Sequence, residues 1–182
     1  MSEAVAFDFS DEEIAVMLDN LDEYTPDEVV EIEKMVDELE AREGNQLAYD
    51  DLIEFCKAMM SDFIVGKHHR ILADMLMAIE KGDKDRVCVN IPPRHGKSQL
   101  VSIFYPAWFL GRNPDKKVMM VSHTTDLAVD FGRKVRNLIA TEWYRAVFPS
   151  VKLAADSKSA GRWNTNVGGE YYATGVGSAL AG

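Results

Sequence analysis

The segment Ile-Pro-Pro-Arg-His-Gly-Lys-Ser, residues 91–98, contains residue types that can hold a phosphate group. Gly96 lets the backbone turn closely around an anion, Lys97 supplies a positive charge for β- and γ-phosphate oxygens, and the Ser98 hydroxyl is a ligand for Mg²⁺. Backbone N–H groups at the start of a following helix would complete the site, because the helix dipole attracts negative charge there. The segment therefore predicts a nucleotide-binding phosphate loop.

The loop departs from the usual pattern at its first position, where Ile91 replaces glycine. Pro92 and Pro93 restrict the backbone φ angle and can set the path of the chain into the loop instead. The alternative interpretation is a chance Gly-Lys-Ser triplet in a turn, which ordinary residue usage produces in roughly one chain in ten of this size. A position between an apolar strand and a helix makes that coincidence much rarer and favours the nucleotide loop.

The segments around the loop are typical of a nucleotide-binding α/β fold. Residues 86–91 form a short apolar run of the kind found in a buried parallel strand, and the following stretch to Gly111 has helical length. A second strand is predicted at 118–123 and a second helix at 126–140. This order predicts a parallel sheet of the P-loop NTPase type flanked by helices. The tail from residue 161 predicts a hairpin and a glycine-rich loop.

The first third of the chain has a different composition. Residues 1–65 hold 20 Asp and Glu against 3 Lys and Arg, whereas residues 66–182 hold 10 against 17. The change predicts an acidic helical region over 1–65 and the N-terminal part of a P-loop ATPase domain over 66–182. Ser10 with Glu13, and Thr25 with Glu28, match the pattern of a capping box at a helix start. The helices predicted before the loop cover about residues 10–21, 25–44, 49–62 and 67–80.

Composition argues against a disulfide-stabilised scaffold, a membrane-spanning protein and a chain with a signal peptide. Cys56 and Cys88 lie in apolar stretches without metal-ligand spacing, and we interpret them as small buried hydrophobic side chains in a reducing compartment. No apolar run approaches the roughly 18 residues of a membrane-spanning helix, and the acidic N-terminus is unlike a signal peptide. The sequence predicts a soluble cytoplasmic protein.

Residues 64–182 resemble the N-terminal ATPase region of tailed-bacteriophage terminase large subunits. The motifs that carry the resemblance are, in order, PPRHGKS, WFLGRNPD, the SH pair after the second predicted strand, FGRKVR and GGEYYATGVG. The resemblance implies a motor that uses ATP and Mg²⁺ to move double-stranded DNA into a procapsid. Its implied partners are the portal protein and the small terminase subunit, in a ring-forming homo-oligomer in the host cytoplasm, with no membrane association.

The resemblance also implies roles for individual residues. Lys97 and Ser98 match the phosphate and magnesium residues, and Arg94 matches an arginine that neutralises charge on the γ-phosphate, which makes Arg94 and Lys97 the candidate catalytic residues. His69 lies where such ATPases often place a residue that contacts adenine. The candidate nucleotide-binding set is Pro93, Arg94, His95, Gly96, Lys97, Ser98, Gln99 and His69, with Ser98 as the metal ligand.

The sequence departs from this family in one respect. These ATPases need a further strand that ends in an acid for Mg²⁺ and is followed by a glutamate that orients water. The nearest matches end at Asp74 and Asp130, and both lie in helical patterns. The clustered carboxylates of the family's nuclease domain are also absent from the sequence. We therefore expect an incomplete terminase with weak or no ATP hydrolysis.

Two other functions stay open. One is a helicase-like or kinase-like P-loop protein unrelated to packaging, and the other is a non-catalytic module that binds nucleotide or a partner. Arg133, Lys134 and Arg136 can line a DNA channel or form the solvated face of a helix. The acidic helices can dock a partner protein, shield the basic part of the chain from DNA, or cap the sheet.

Overall fold

The structure is a computed structural model, which describes residues 10–155, 157 and 159–177. The chain divides into two compact units, Met1–Gly44 and Asn45–Gly182. The division by contacts at residue 44 and the change of charge near residue 65 fall at different places, because Asp50, Asp51, Glu54 and Asp62 belong to the second unit. In the described part of the chain, no helix is long and apolar enough to cross a membrane.

The first unit is helical, as its sequence predicts. Helix α1 (Asp11–Asp19) starts with the predicted capping box, in which the Ser10 backbone N–H donates to Glu13 Oε2 over 2.7 Å. The Thr25 backbone N–H donates to Glu28 Oε2 over 2.8 Å at the start of α2 (Pro26–Asp50). These backbone hydrogen bonds, followed by those from the Ser10 and Thr25 hydroxyls, hold the pKa of both glutamates below its usual value.

Helix α2 continues through Gly44, where the sequence predicted its end. A glycine inside a helix costs only about 1 kcal/mol relative to alanine, so favourable contacts made by the residues that follow Gly44 can outweigh this cost. Ala48 is fully buried in the second unit, and its carbonyl accepts a hydrogen bond from Trp108 Nε1 over 3.2 Å. The last turns of α2 are therefore retained by tertiary contacts.

The second unit continues with α3 (Leu52–Met59), which is shorter than predicted, and α4 (Lys67–Glu80), which has the predicted bounds. A continuous helical run follows the candidate phosphate loop: α5 (Lys97–Gln99), a π-helical segment (Leu100–Phe104) and α6 (Tyr105–Arg112). Pro106 lacks a backbone N–H, and a widened segment just before it accommodates the missing hydrogen bond. Helices α7 (Thr125–Ile139) and α8 (Glu142–Val147) complete the helical part.

The fold is mixed α/β with a small mixed sheet. Strands β1 (Lys117–Ser122), β2 (Arg162–Asn164) and β3 (Glu170–Gly175) lie in the order β1-β3-β2. Strand β1 pairs parallel with β3, and β2 pairs antiparallel with it, which confirms the predicted second strand and the predicted hairpin. The last residues of the glycine-rich tail, 178–182, lie outside the described residues.

Two predictions about the sheet are not confirmed in the described residues. Residues 86–91 are extended but pair with no described strand, and the three strands that do pair form a mixed sheet instead of a parallel one. A strand needs a neighbour for its N–H and C=O groups, and residue pattern alone does not show whether one is present. The sheet is also not covered on both faces, because Met119 and Val121 of β1 are 58% and 48% exposed.

The core of the second unit is rich in aromatic side chains. Trp163 stacks on Tyr171 with ring centroids 4.9 Å apart, and Tyr144 of α8, a helix that the sequence did not predict, is fully buried. Cys56 is buried as predicted, and burial raises the pKa of its thiol. Cys88 is exposed, which corrects the prediction for that residue, because the segment around it packs on only one side.

Deletion of residues 1–44 is expected to leave the second unit folded. The deletion keeps the Ala48 and Tyr49 carbonyls that bind Trp108, and it keeps Asp51, which caps α3 and binds Arg70 Nη1 with both oxygens at 2.9 Å. Urea unfolding followed by tryptophan fluorescence should show one cooperative transition. A deletion of residues 1–51 is the control and should unfold at much lower urea.

The same deletion should strengthen retention of DNA. Residues 1–44 hold 16 Asp and Glu and 2 Lys and Arg, so removing them changes the formal net charge from -10 to +4. Retention on immobilised duplex DNA at low salt should rise and should disappear at high salt. In the unfolding experiment above, loss of the cooperative transition after deletion of residues 1–44 would contradict the independence of the second unit.

Candidate phosphate-binding loop

The loop has an unusual backbone conformation. Gly96, the residue before helix α5, has φ 71° and ψ -1°, and Arg94 has φ 65°, so two residues close together are left-handed. Glycine adopts this conformation freely, whereas for an arginine it costs about 1–3 kcal/mol. Alternation between left-handed and ordinary residues turns backbone N–H groups toward one side and forms an anion-binding concavity. The strained Arg94 is therefore consistent with a backbone shaped for a ligand.

A pocket of about 330 Å³ lies against this loop. Six of the eight predicted nucleotide-binding residues line it, together with Pro92: Pro93, Arg94, Gly96, Lys97, Ser98 and Gln99. His69 and His95 of the predicted set do not line it. The structure thus brings most of the predicted residues to one concave surface.

The pocket is positively charged. Lys97 is half-buried and Arg94 is exposed, and within the described residues neither cation has a carboxylate partner. An ammonium without a carboxylate partner is available to bind an anion through charge-assisted hydrogen bonds. Ser98 is exposed on the pocket, where its hydroxyl can reach a bound group. The arrangement suits a polyphosphate with its metal ion.

His69 lies behind the loop and is only 7% exposed. The Gly66 backbone N–H donates to His69 Nδ1 over 3.0 Å, so Nδ1 is an acceptor. The proton of the neutral ring is therefore on Nε2, which donates to the His95 carbonyl over 3.0 Å. Both ring nitrogens of His69 are occupied by backbone groups. The adenine contact expected for His69 stays a prediction.

The sequence did not predict the contacts that His68 and His95 make in the structure. His68 Nε2 also donates to the His95 carbonyl, over 3.2 Å, and His95 Nδ1 donates to the Pro93 carbonyl over 2.9 Å. The signal for the first contact was the His-His doublet at the start of α4, which placed two adjacent ring donors on one helical turn. Their partner, 26 and 27 residues further along the chain, could not be identified without the fold.

The acids considered in the sequence lie in helices, as their patterns indicated. Asp74 is exposed on α4, and Asp130 on α7 accepts from Lys134 over 2.8 Å and from Arg133 over 3.2 Å. The hydrogen bond from Lys134 is the main reason that the pKa of Asp130 is lowered. Across residues 10–155, 157 and 159–177, no group of three or more His, Cys, Asp or Glu side chains is placed to hold a metal ion.

The interpretation of the loop rests on its own residues and geometry. No protein-family model, no curated protein and no solved structure matches this chain.

Proposed function

We propose that this chain binds ATP with Mg²⁺ through the loop at residues 92–99, as the nucleotide-binding part of a viral DNA-packaging motor of the terminase large-subunit type. The observation that carries the proposal is Lys97, which follows the left-handed Gly96, lines the same pocket and has no carboxylate partner among the described residues. A glycine followed by lysine and serine at the start of a helix is the arrangement of a phosphate loop.

The pocket residues fit a triphosphate by their chemistry. The left-handed Gly96 turns the backbone around the pocket, and the Lys97 ammonium attracts the β- and γ-phosphate oxygens as a point charge. The Ser98 hydroxyl would hold the Mg²⁺ that accompanies the nucleotide and that neutralises phosphate charge when bound. Arg94, exposed at the edge of the pocket, would neutralise charge that develops on the γ-phosphate during transfer.

The finer fold class is part of the proposal. Strands β1 and β3 are parallel, and the connection between them contains α7, which packs on the sheet through the buried Ala128, Gly132 and Val135. A strand, a helix and a later parallel strand of the same sheet form the building unit of P-loop sheets, although here α8 and the antiparallel β2 also lie in the connection. In this proposal, the extended residues 86–91 are the strand that leads into the phosphate loop.

The packaging role rests on the resemblance over residues 64–182 and on charge. Residues 66–182 have 17 Lys and Arg against 10 Asp and Glu, which favours contact with the DNA backbone. Lys134 and Arg133 remain 52% and 53% exposed although they share Asp130, so they can still face phosphates. Double-stranded DNA, the portal protein, the small terminase subunit and further copies of the motor subunit are the proposed partners.

A non-catalytic nucleotide-binding module is the second candidate, and one observation favours it. In the part of the chain that the structure describes, no acidic residue directly follows β1 or β3. The strand end is where an acid for Mg²⁺ and a glutamate for water belong in this class of ATPase. We therefore expect binding with little turnover.

Isothermal titration of the chain with ATP and Mg²⁺ tests the proposal. We expect saturable binding in the high micromolar to millimolar range, which corresponds to about 4–5 kcal/mol. Inorganic tripolyphosphate should compete with ATP, whereas AMP should not, because Lys97 is expected to contact the terminal phosphates. Phosphate release should stay close to the background rate. Absence of saturable binding at several millimolar ATP would refute the proposed function.

A further inference from the structure

We propose that His69 is a positioning residue for the phosphate loop, which it holds from behind through the His95 carbonyl, with His68 as a second donor. The inference rests on the proposed nucleotide binding but assigns His69 a role that does not involve contact with the nucleotide. It differs from the adenine contact that the family resemblance implies, and the two roles give different results with a ligand that has no base.

The hydrogen bonds of the His69 ring have a definite direction. A backbone N–H can only donate, so the bond from Gly66 to Nδ1 makes Nε2 the protonated nitrogen. Nε2 then donates to the His95 carbonyl over 3.0 Å, and His68 Nε2 donates to the same oxygen over 3.2 Å. Two side chains at the start of α4 therefore donate hydrogen bonds to one carbonyl of the loop.

The ring of His69 also contacts the loop directly. A Cβ added to Gly96 would collide with His69 Nε2, so the glycine lies against the ring. On other sides the ring has the Phe63 ring at 5.2 Å and the His68 ring at 4.0 Å between centroids. Because His69 is 7% exposed, it has little freedom to move away from the loop. Gly96 therefore serves both the left-handed turn and the contact with His69.

The two hydrogen bonds to the His95 carbonyl determine the direction of the neighbouring Gly96 N–H. All described peptide bonds are trans, and in a trans peptide the C=O and N–H groups point to opposite sides. The His95 carbonyl points to the histidines, so the Gly96 N–H of the same peptide points away from them. Gly96 lines the pocket. If the peptide rotated, its carbonyl oxygen would face the bound phosphate and repel it, and the N–H donor would be lost.

Titrations with ATP and with inorganic tripolyphosphate test this role. His69→Ala should weaken the binding of both ligands by the same factor, about tenfold, because a lost hydrogen bond and a released carbonyl affect only the phosphate cradle. His69→Gln should stay within about threefold of the natural chain, because its amide N–H can still reach the carbonyl. His69→Asn, with a shorter side chain, should behave like the alanine variant.

Circular dichroism and thermal unfolding on the same samples establish that the variants are folded. If His69→Ala fails to fold, the comparison of the Gln and Asn variants decides the question. Weaker ATP binding with unchanged tripolyphosphate binding would show that the ring contacts the base, which would overturn the inference. If all variants bound both ligands as tightly as the natural chain does, the inference would be overturned too. If the natural chain binds neither ligand, the proposed function fails, and the positioning role fails with it.

Discussion

Replacement of Lys97 by alanine is expected to reduce the affinity for ATP by roughly 30- to 150-fold, which corresponds to about 2–3 kcal/mol. Lys97 is half-buried, lines the loop pocket and has no carboxylate partner among the described residues. Its ammonium would form a charge-assisted hydrogen bond when phosphate binds, and alanine would remove it. Titration of Lys97→Ala should therefore show no saturable binding of ATP or of tripolyphosphate in the millimolar range in which the natural chain binds them.

Lys152→Ala is the matched control for this prediction. Lys152 is exposed and does not line the loop pocket, so its removal makes the same change of net charge without touching the site. A long-range effect of charge would weaken binding in both variants, whereas a phosphate contact would weaken it only in Lys97→Ala. Unchanged affinity in Lys97→Ala would mean that the nucleotide binds elsewhere or not at all. The Lys97 variant should keep the unfolding midpoint of the natural chain, because the side chain makes no described ion pair.

Replacement of Trp108 by alanine is expected to destabilise the second unit by about 3–5 kcal/mol. Trp108 is 1% exposed, and its Nε1 donates to the Ala48 and Tyr49 carbonyls over 3.2 and 3.1 Å. The Arg112 guanidinium lies 5.0 Å from the centroid of its ring. The substitution would leave a large cavity and remove the contact that retains the last turn of α2. Marginal stabilities of about 5–15 kcal/mol make such a loss severe.

Urea unfolding followed by circular dichroism measures this effect, and Trp143→Ala is its control. Trp143 is 71% exposed on α8, so its removal should change stability by less than about 0.5 kcal/mol. Trp108→Phe keeps most of the buried ring but removes the donor, and it should lie between the two, at about 1–2 kcal/mol. An equal loss in the two alanine variants would show that Trp108 is not a principal core residue.

Local structure was the part of the fold that residue pattern predicted best. The capping boxes at Ser10 and Thr25, the bounds of α4 and the hairpin of β2 and β3 all depend on residues close together in the chain. Their hydrogen bonds form within a few residues, so the pattern contains both partners. The pairing of β1 with β3 spans about fifty residues, and the order of predicted elements did not specify it.

In the candidate site, too, features of neighbouring residues were predicted from the sequence, whereas contacts between distant residues were not. The types and spacing of Gly96, Lys97 and Ser98 predicted the loop, because a phosphate cradle is built from consecutive residues. The left-handed Arg94 and the two histidine donors on the His95 carbonyl were not predicted. An exposed arginine can adopt many conformations, and a histidine at the start of a helix has no partner until the helix lies against the loop.

By itself, the sequence determined the starts of α1, α2 and α4 and the contrast in charge between residues 1–65 and 66–182, and it predicted the phosphate loop. Each of these is a property of the chain over short distances or of its composition. Only the tertiary structure decided that α2 continues past Gly44, that residues 86–91 pair with no described strand, and that His69 points its Nε2 proton at the loop. These outcomes depend on which distant groups are present to accept a hydrogen bond or to bury a side chain, and short-range pattern contains no information about them.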